Sequence, residues 1–416
     1  MPDPCLIIGL NTSLHFFLKS KIGVGASNKT DSRGAGREAT SKAIAQGDIE
    51  RPDFALLFFG GKHNPDEFME GVRSILGDTP CVGGSGLGII TNDFLGYSGY
   101  EAGITVFSSD TLSFHVMVQD ELDKDEKACG DALGKQIVAS GIKEGALLVF
   151  YDSSKQQSPP MLNFATPLFE ALEAHLPQGI NCAGAGLLSD MQLSATYQFY
   201  NGEVRTQNAV AVLIGGSGRM QTTIMHGCRP SGSYHTITKT FGPVLAEIDG
   251  RPALEMIDEL MGSDHKIPWK DFALFVTLGL NRGDKFGAFN EKDYANRLTL
   301  TVDEESKSLI MFEPDLKAGD EVQLMRRSVD LKYMRSGIDT LKAKMNGNKP
   351  LFSFYINCAG RARPYAGGAF EDAEEVQRLV GADAPLMGFY SGVEVAEIGG
   401  KLQPLDWTGV LCMLYE

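Results

Sequence analysis

No two of the seven cysteines stand at Cys-x-x-Cys spacing, and their number is odd. In a chain of 416 residues that pattern excludes a disulfide framework and a zinc cluster, and reads as reduced thiols in the cytoplasm. Long apolar runs are also missing. None approaches the ~20 residues a membrane helix needs, so no membrane insertion is expected. Positive charge is short, with 38 Lys and Arg against 53 Asp and Glu and a formal charge of −15. Nucleic acid and anionic membranes both favour a positive field, so neither is expected as the main partner. Histidine is scarce, and no two of the seven share a helical face at i,i+3 or i,i+4, which argues against a metalloenzyme. The first residues lack the cationic start and unbroken apolar centre of a secretory leader, so 1–20 read as an irregular extension.

What is present is a repeated grammar. Apolar residues make up 43% of the chain and charged ones 22%, as in ordinary soluble globular proteins. Short apolar runs at Ala55–Phe59, Ala146–Tyr151 and Leu351–Ile356 are each followed by a helical stretch. A glycine-rich strand end and a returning strand complete each unit. Continuous apolar runs bounded by Gly and Pro suggest strands buried on both faces. The expected fold class is therefore α/β, with repeated β-α-β-β units forming two packed mixed-sheet halves. The Gly215-Gly216-Ser217-Gly218 turn separates a domain at 21–218 from one at 219–416. Between the second and third units lie further strands and a long amphipathic helix, Ser328–Lys344.

Candidate chemistry sits at the strand ends, where α/β folds build ligand pockets. One apolar run stops at Cys358-Ala359-Gly360-Arg361, and another at Tyr390-Ser391-Gly392-Val393-Glu394. An arginine in a turn of small residues suits capture of a carboxylate. With Glu394 it would form a zwitterion clamp, with Glu394 as its ion-pair partner or the seat of an ammonium group. Arg361 near Cys358 would lower the thiol's pKa, which opens an enzymatic reading beside that of a buried packing thiol. The Gly83-Gly84-Ser85-Gly86 stretch lacks the lysine of a phosphate-binding loop and reads as a tight turn whose amides could hold an anionic group. Neither Ser85 nor Ser391 is followed by a helix, and no histidine lies beyond His265, so a serine hydrolase is excluded.

These ends also carry a resemblance. The segment from Asn357 to Glu394 resembles the C-terminal part of FIST proteins. Phe241 to Leu254, with its Gly-Arg-Pro-Ala-Leu, looks like the opening of FIST-C, and Asn296-Arg297 falls where that family has an arginine entering a strand. Arg33 to Ala45 followed by Asp53–Phe59 is similar to the start of FIST-N. The resemblance implies a FIST-N plus FIST-C body and an intracellular sensory role without chemistry. It implies an amino-acid-like or other small anionic or zwitterionic ligand and a separate signalling partner. Ligand contacts would come from Cys358, Arg361, Tyr390, Ser391 and Glu394, supported by Arg297, with Gly83, Gly84 and Ser85 from the N-terminal half. Two alternatives come with it: a haem-binding nitric oxide sensor, with His226 and His235 the candidate axial ligands, and a substrate-binding adaptor like the FIST part of an F-box protein.

Overall fold

The computed structural model describes residues 20–262, 268–328, 330–366 and 371–416. The expected irregular extension at 1–20 thus lies almost wholly outside the described residues. Three six-stranded sheets share one wiring. The first is built from strands Lys21–Ser27, Phe54–Phe59, Cys81–Ser85 and Ala102–Ser108, with helices Ser32–Gly47 and Pro65–Leu76 between them. The second uses Leu112–Gln119, Glu144–Asp152, Gly179–Leu187 and Ala209–Gly216, with helices Glu126–Ala139 and Ala165–Glu173. The third uses Arg219–Met225, Phe352–Cys358, Leu386–Ser391 and Gly409–Tyr415, with helices Lys332–Lys344 and Asp372–Val380. In each, the spatial order is first, fourth, second, third. The second and third strands run parallel, joined by a helical crossover, as parallel pairing requires.

Each sheet is completed by a hairpin borrowed from a neighbour. The hairpin Ile89–Thr91/Leu95–Gly96 leaves the first group and pairs with Leu386–Ser391 of the third sheet. Gln198–Tyr200/Glu203–Arg205 leaves the second group and pairs with Cys81–Ser85 of the first. Val393–Ile398/Lys401–Leu405 leaves the third group and pairs with Gly179–Leu187 of the second. The three exchanges close a ring.

The apolar runs explain how the sheets stack. Along each central strand, alternate side chains point to opposite faces. Phe54, Leu56 and Phe58, Ala146, Leu148 and Phe150, and Phe352, Phe354 and Ile356 all enter one shared core. The other parity, such as Leu57, Val149 and Tyr355, packs under each sheet's own helices. Phe58 stacks on Phe389 with ring centroids 4.2 Å apart and meets Phe150 at 5.1 Å and Phe354 at 5.7 Å.

A second body is inserted between Arg219–Met225 and helix Lys332–Lys344. Strands His235–Phe241, Val244–Ile248, Ser308–Met311, Tyr294–Asp303, Thr277–Asn281 and Glu321–Arg327 pair in that order, and the last pairs back with the first. The result is a small closed barrel with helix Ala253–Met261 beside it. Closure leaves these short strands no open edge.

Candidate functional site

The parallel strands of the second and third sheets end at one place, and the barrel covers it. Between them lies a cavity of about 270 Å³. Ser153 and Leu188, each just past a strand end of the second sheet, form one wall; Cys358, Ser391 and Gly392 from the third sheet form another. The barrel contributes Leu298, Leu300, Phe312 and Arg327, and Trp407 closes the cavity from the loop before the last strand. Gly392 lets the two sheets meet: its N–H donates to Gly186 O at 2.8 Å, and a Cβ there would lie 3.0 Å from Ser153 Oγ.

Of the residues singled out in the sequence, Cys358 and Ser391 line this cavity. Ser391 Oγ donates to Glu394 Oε1 at 2.7 Å, and Glu394 Oε2 accepts from Thr408 N at 3.4 Å. Glu394 itself is fully buried behind the wall, and burial first, then the nearby Asp406, holds its carboxyl well above the usual range. Burial, reinforced by Glu394, also pushes the Cys358 thiol far up. The expectation that Arg361 lowers it is therefore overturned, and Cys358 is a neutral thiol at physiological pH.

Arg361 turns the other way. Its nearest carboxylate is Asp372, 2.5 Å away, and the rest of its fork donates to His226 O at 3.0 Å, Trp407 O at 2.9 Å and Tyr333 Oη at 2.7 Å. Asp372 also accepts from Asn357 Nδ2 at 2.9 Å and Tyr355 Oη at 3.1 Å. Arg361 therefore ties the third sheet to its own helix and is outside the cavity lining. Tyr390 is likewise buried, with its hydroxyl on Glu371. Arg297 pairs with Asp315 at 2.5 Å and donates to Pro404 O at 2.8 Å, clamping the barrel to the hairpin that completes the second sheet. Gly83, Gly84 and Ser85 are strand residues, where the sequence suggested a turn. A Cβ on Gly83 would stand 1.8 Å from Leu57 O, so glycine is needed there for close strand packing. The amides that follow are spent as well, Ser85 N on Tyr197 O and Gly86 N on Phe59 O.

Sequence reasoning passed over Arg327, Trp407, Asp406 and Glu313, all of which line the cavity. The Arg327 guanidinium lies 3.4 Å from the centroid of the Trp407 ring. Its Nη2 donates to Leu274 O at 2.7 Å and Thr277 Oγ1 at 3.2 Å, while Nε is buried without a partner. No carboxylate among the described residues pairs with it, and burial lowers its pKa to about 10, so it stays charged. The available signal was slight: one of only two tryptophans, at a turn where Trp407 adopts φ 52°.

Two acids face the same space. Burial pushes Glu313 up to about 8 despite hydrogen bonds from Ala165 N, Thr166 N and Thr166 Oγ1, and pushes Asp406 up to about 7. A carboxyl with a raised folded pKa keeps its proton after the unfolded chain has lost it. Its contribution is therefore full at low pH and is lost as pH rises through the folded value. His63 and His226, held below 6.5 by burial, act in the opposite sense only at lower pH. From about pH 6.5 to about pH 8 the urea-unfolding free energy should fall by roughly 1–3 kcal/mol, at most about 1.4 kcal/mol per pH unit for each acid. Glu313→Gln should flatten that slope; a slope unchanged in the variant contradicts it.

The two histidines considered for haem lie outside the cavity lining. His226 Nδ1 accepts from Cys228 N at 2.9 Å and its Nε2 faces Glu291 O at 3.0 Å; His235 pairs with Asp249 at 2.7 Å on the barrel. Neither of these two imidazoles therefore fits an axial position there. Among the described residues no group of three His, Cys, Asp or Glu could hold a metal ion, and no helix is long and apolar enough to cross a membrane.

Comparison with known proteins matches residues 53–251 to the FIST N domain and residues 253–397 to the FIST C domain. An uncharacterized protein of Mycobacterium tuberculosis strain H37Rv is 24% identical over 251 residues, 60% of this chain and 64% of that protein. The chain thus spans slightly less than two thirds of that relative's length. An uncharacterized protein of Mycobacterium bovis is 24% identical over 414 residues, covering 95% of this chain and 99% of its own. A crystal structure of cyanuric acid hydrolase from A. caulinodans aligns with 47% of this chain and 71% of its own, at 11% identity and a TM-score of 0.26, too distant to carry an inference.

Proposed function

Since this chain belongs to the FIST family, whose domains are regarded as sensory and signal-transduction modules, we propose that it senses a small ligand and performs no chemistry on it. The ligand occupies the cavity between the FIST-N and FIST-C parts and is small and anionic or zwitterionic, as an amino acid is. Cys358 and Ser391 touch it. Arg361, Glu394, Tyr390 and Arg297 hold the walls from behind, and Gly83, Gly84 and Ser85 fix the strand packing that those walls rest on. The signal passes to a separate protein partner in the cytoplasm, a location that the six buried free thiols among the described residues suit.

One observation carries this reading: a cavity of about 270 Å³ at the strand ends, lined by both parts, whose thiol Cys358 is held neutral by burial. That volume sits near the lower end of small-molecule sites, roughly 300–1,000 Å³. The test is to fill it. Leu300→Trp adds an indole from the barrel side, where Leu300 is only half-buried. Thermal-shift screening of amino acids and small carboxylates should find a stabilising compound for the wild type and none for Leu300→Trp, with circular dichroism unchanged. Stabilisation that survives the filling would place the ligand elsewhere, and a Soret band in the purified protein would replace this reading with a haem sensor.

A further inference from the structure

We propose that the cavity selects an apolar monoanion, a carboxylate on a hydrocarbon body, through Arg327 held on the face of Trp407. This rests on the reading that the cavity is the ligand site and gives that ligand a chemical class.

Among the described residues one cation and two carboxyls face the space: Arg327, Glu313 and Asp406. Both carboxyls are already engaged by the protein. Glu313 accepts from two backbone N–H groups and a hydroxyl at the start of helix Ala165–Glu173. Asp406 accepts from Leu298 N at 2.8 Å and feels the charge of Arg297. The guanidinium has no such closure. Among the described residues its bonds go to a carbonyl and a hydroxyl through Nη2, and Nε is buried without a partner. A half-buried cation with no counter-ion among the described residues is costly, and an anion entering the cavity removes that cost.

Trp407 sets the geometry. With the indole 3.4 Å away on one face, the guanidinium plane is fixed and its N–H groups point along the edge, the arrangement that recognises a planar carboxylate. The walls beyond it are Leu162, Leu188, Leu298, Leu300 and Phe312, with no further cation. They suit a hydrocarbon and offer an ammonium group no free carboxylate, since both carboxyls already accept hydrogen bonds from the protein and burial raises them, Glu313 to about 8 and Asp406 to about 7. The inference therefore narrows the zwitterion to a monoanion.

The experiment compares hexanoate, 1-hexanol and hexylamine on the full-length protein by ligand-observed NMR titration, with wild type and Arg327→Gln. Wild type should bind hexanoate at least tenfold more tightly than 1-hexanol, and hexylamine least. Arg327→Gln should lose the tenfold preference while keeping its affinity for 1-hexanol. If Arg327→Gln proves unstable, Arg327→Lys, which retains the charge, should keep the order of preference. Equal binding of hexanoate and 1-hexanol by wild type overturns the anion assignment and leaves the cavity reading standing. The same holds if Arg327→Gln keeps the full preference. Failure of all three to bind overturns the cavity reading itself.

Discussion

Replacing Arg361 with alanine should lower the unfolding free energy by roughly 3–5 kcal/mol, read as a lower urea midpoint with little change in slope. The substitution removes the ion pair to Asp372 and the donations to His226 O, Trp407 O and Tyr333 Oη in one step. Among the described residues, Asp372 then keeps Asn357 and Tyr355 as its side-chain donors and remains buried. An unpaired carboxylate in that position costs more than the pair contributed. A second substitution, Asp372→Asn, should therefore recover part of the loss in the Arg361→Ala background. A drop below about 1 kcal/mol would mean that Arg361 is not the tie between the third sheet and helix Asp372–Val380.

Phe58→Ala should cost a similar amount, about 3–5 kcal/mol, because the site cannot collapse around the void. Its ring is fully buried where the three sheets converge, stacked on Phe389 and in edge contact with Phe150. Each neighbour sits on a different backbone held by its own ladder, so no single shift fills the space. Phe286→Ala provides the contrast. That ring is 90% exposed on the barrel, and its loss should move stability by no more than about 0.5 kcal/mol. Equal effects at the two positions would sink the picture of one shared core.

Much of the architecture was legible because burial on two faces writes itself as an unbroken apolar run. Ala55–Phe59, Ala146–Tyr151 and Leu351–Ile356 each fall on a central strand, and the proline-led segment Pro65–Leu76 is a helix over that range. The expected helix at Ser328–Lys344 begins at Lys332. Glycine misled at Gly83 and Gly84, because a glycine required by close strand approach reads the same as one required by a turn. The exchange of hairpins left no trace, since two of the three have strands of only two or three residues and no local period says which sheet a strand joins. The site was legible only at the ends of its strands. Cys358 and Ser391 could be found because small residues follow an apolar run. Arg361 drew attention for the same reason, yet its partner Asp372 lies eleven positions on in a helix, out of reach of any local pattern. Arg327 lay at the end of an ordinary barrel strand, and what distinguishes it, the lack of a counter-ion, exists only once the chain is folded.

The ring of borrowed hairpins also dictates an order of assembly during synthesis. As the chain leaves the ribosome, the first sheet has all its strands once Arg205 has emerged. The second waits much longer: its strand Gly179–Leu187 gains its outer neighbour only when Val393–Ile398 appears. Throughout that interval the nascent chain carries an apolar strand with a bare edge, open to pairing with another chain. The third sheet needs Gly409–Tyr415, which emerges later still. Truncation before Val393 would therefore leave two sheets unfinished, whereas truncation just before Gly409 would leave only the third, and a chaperone acting on this protein would find its target at Gly179–Leu187.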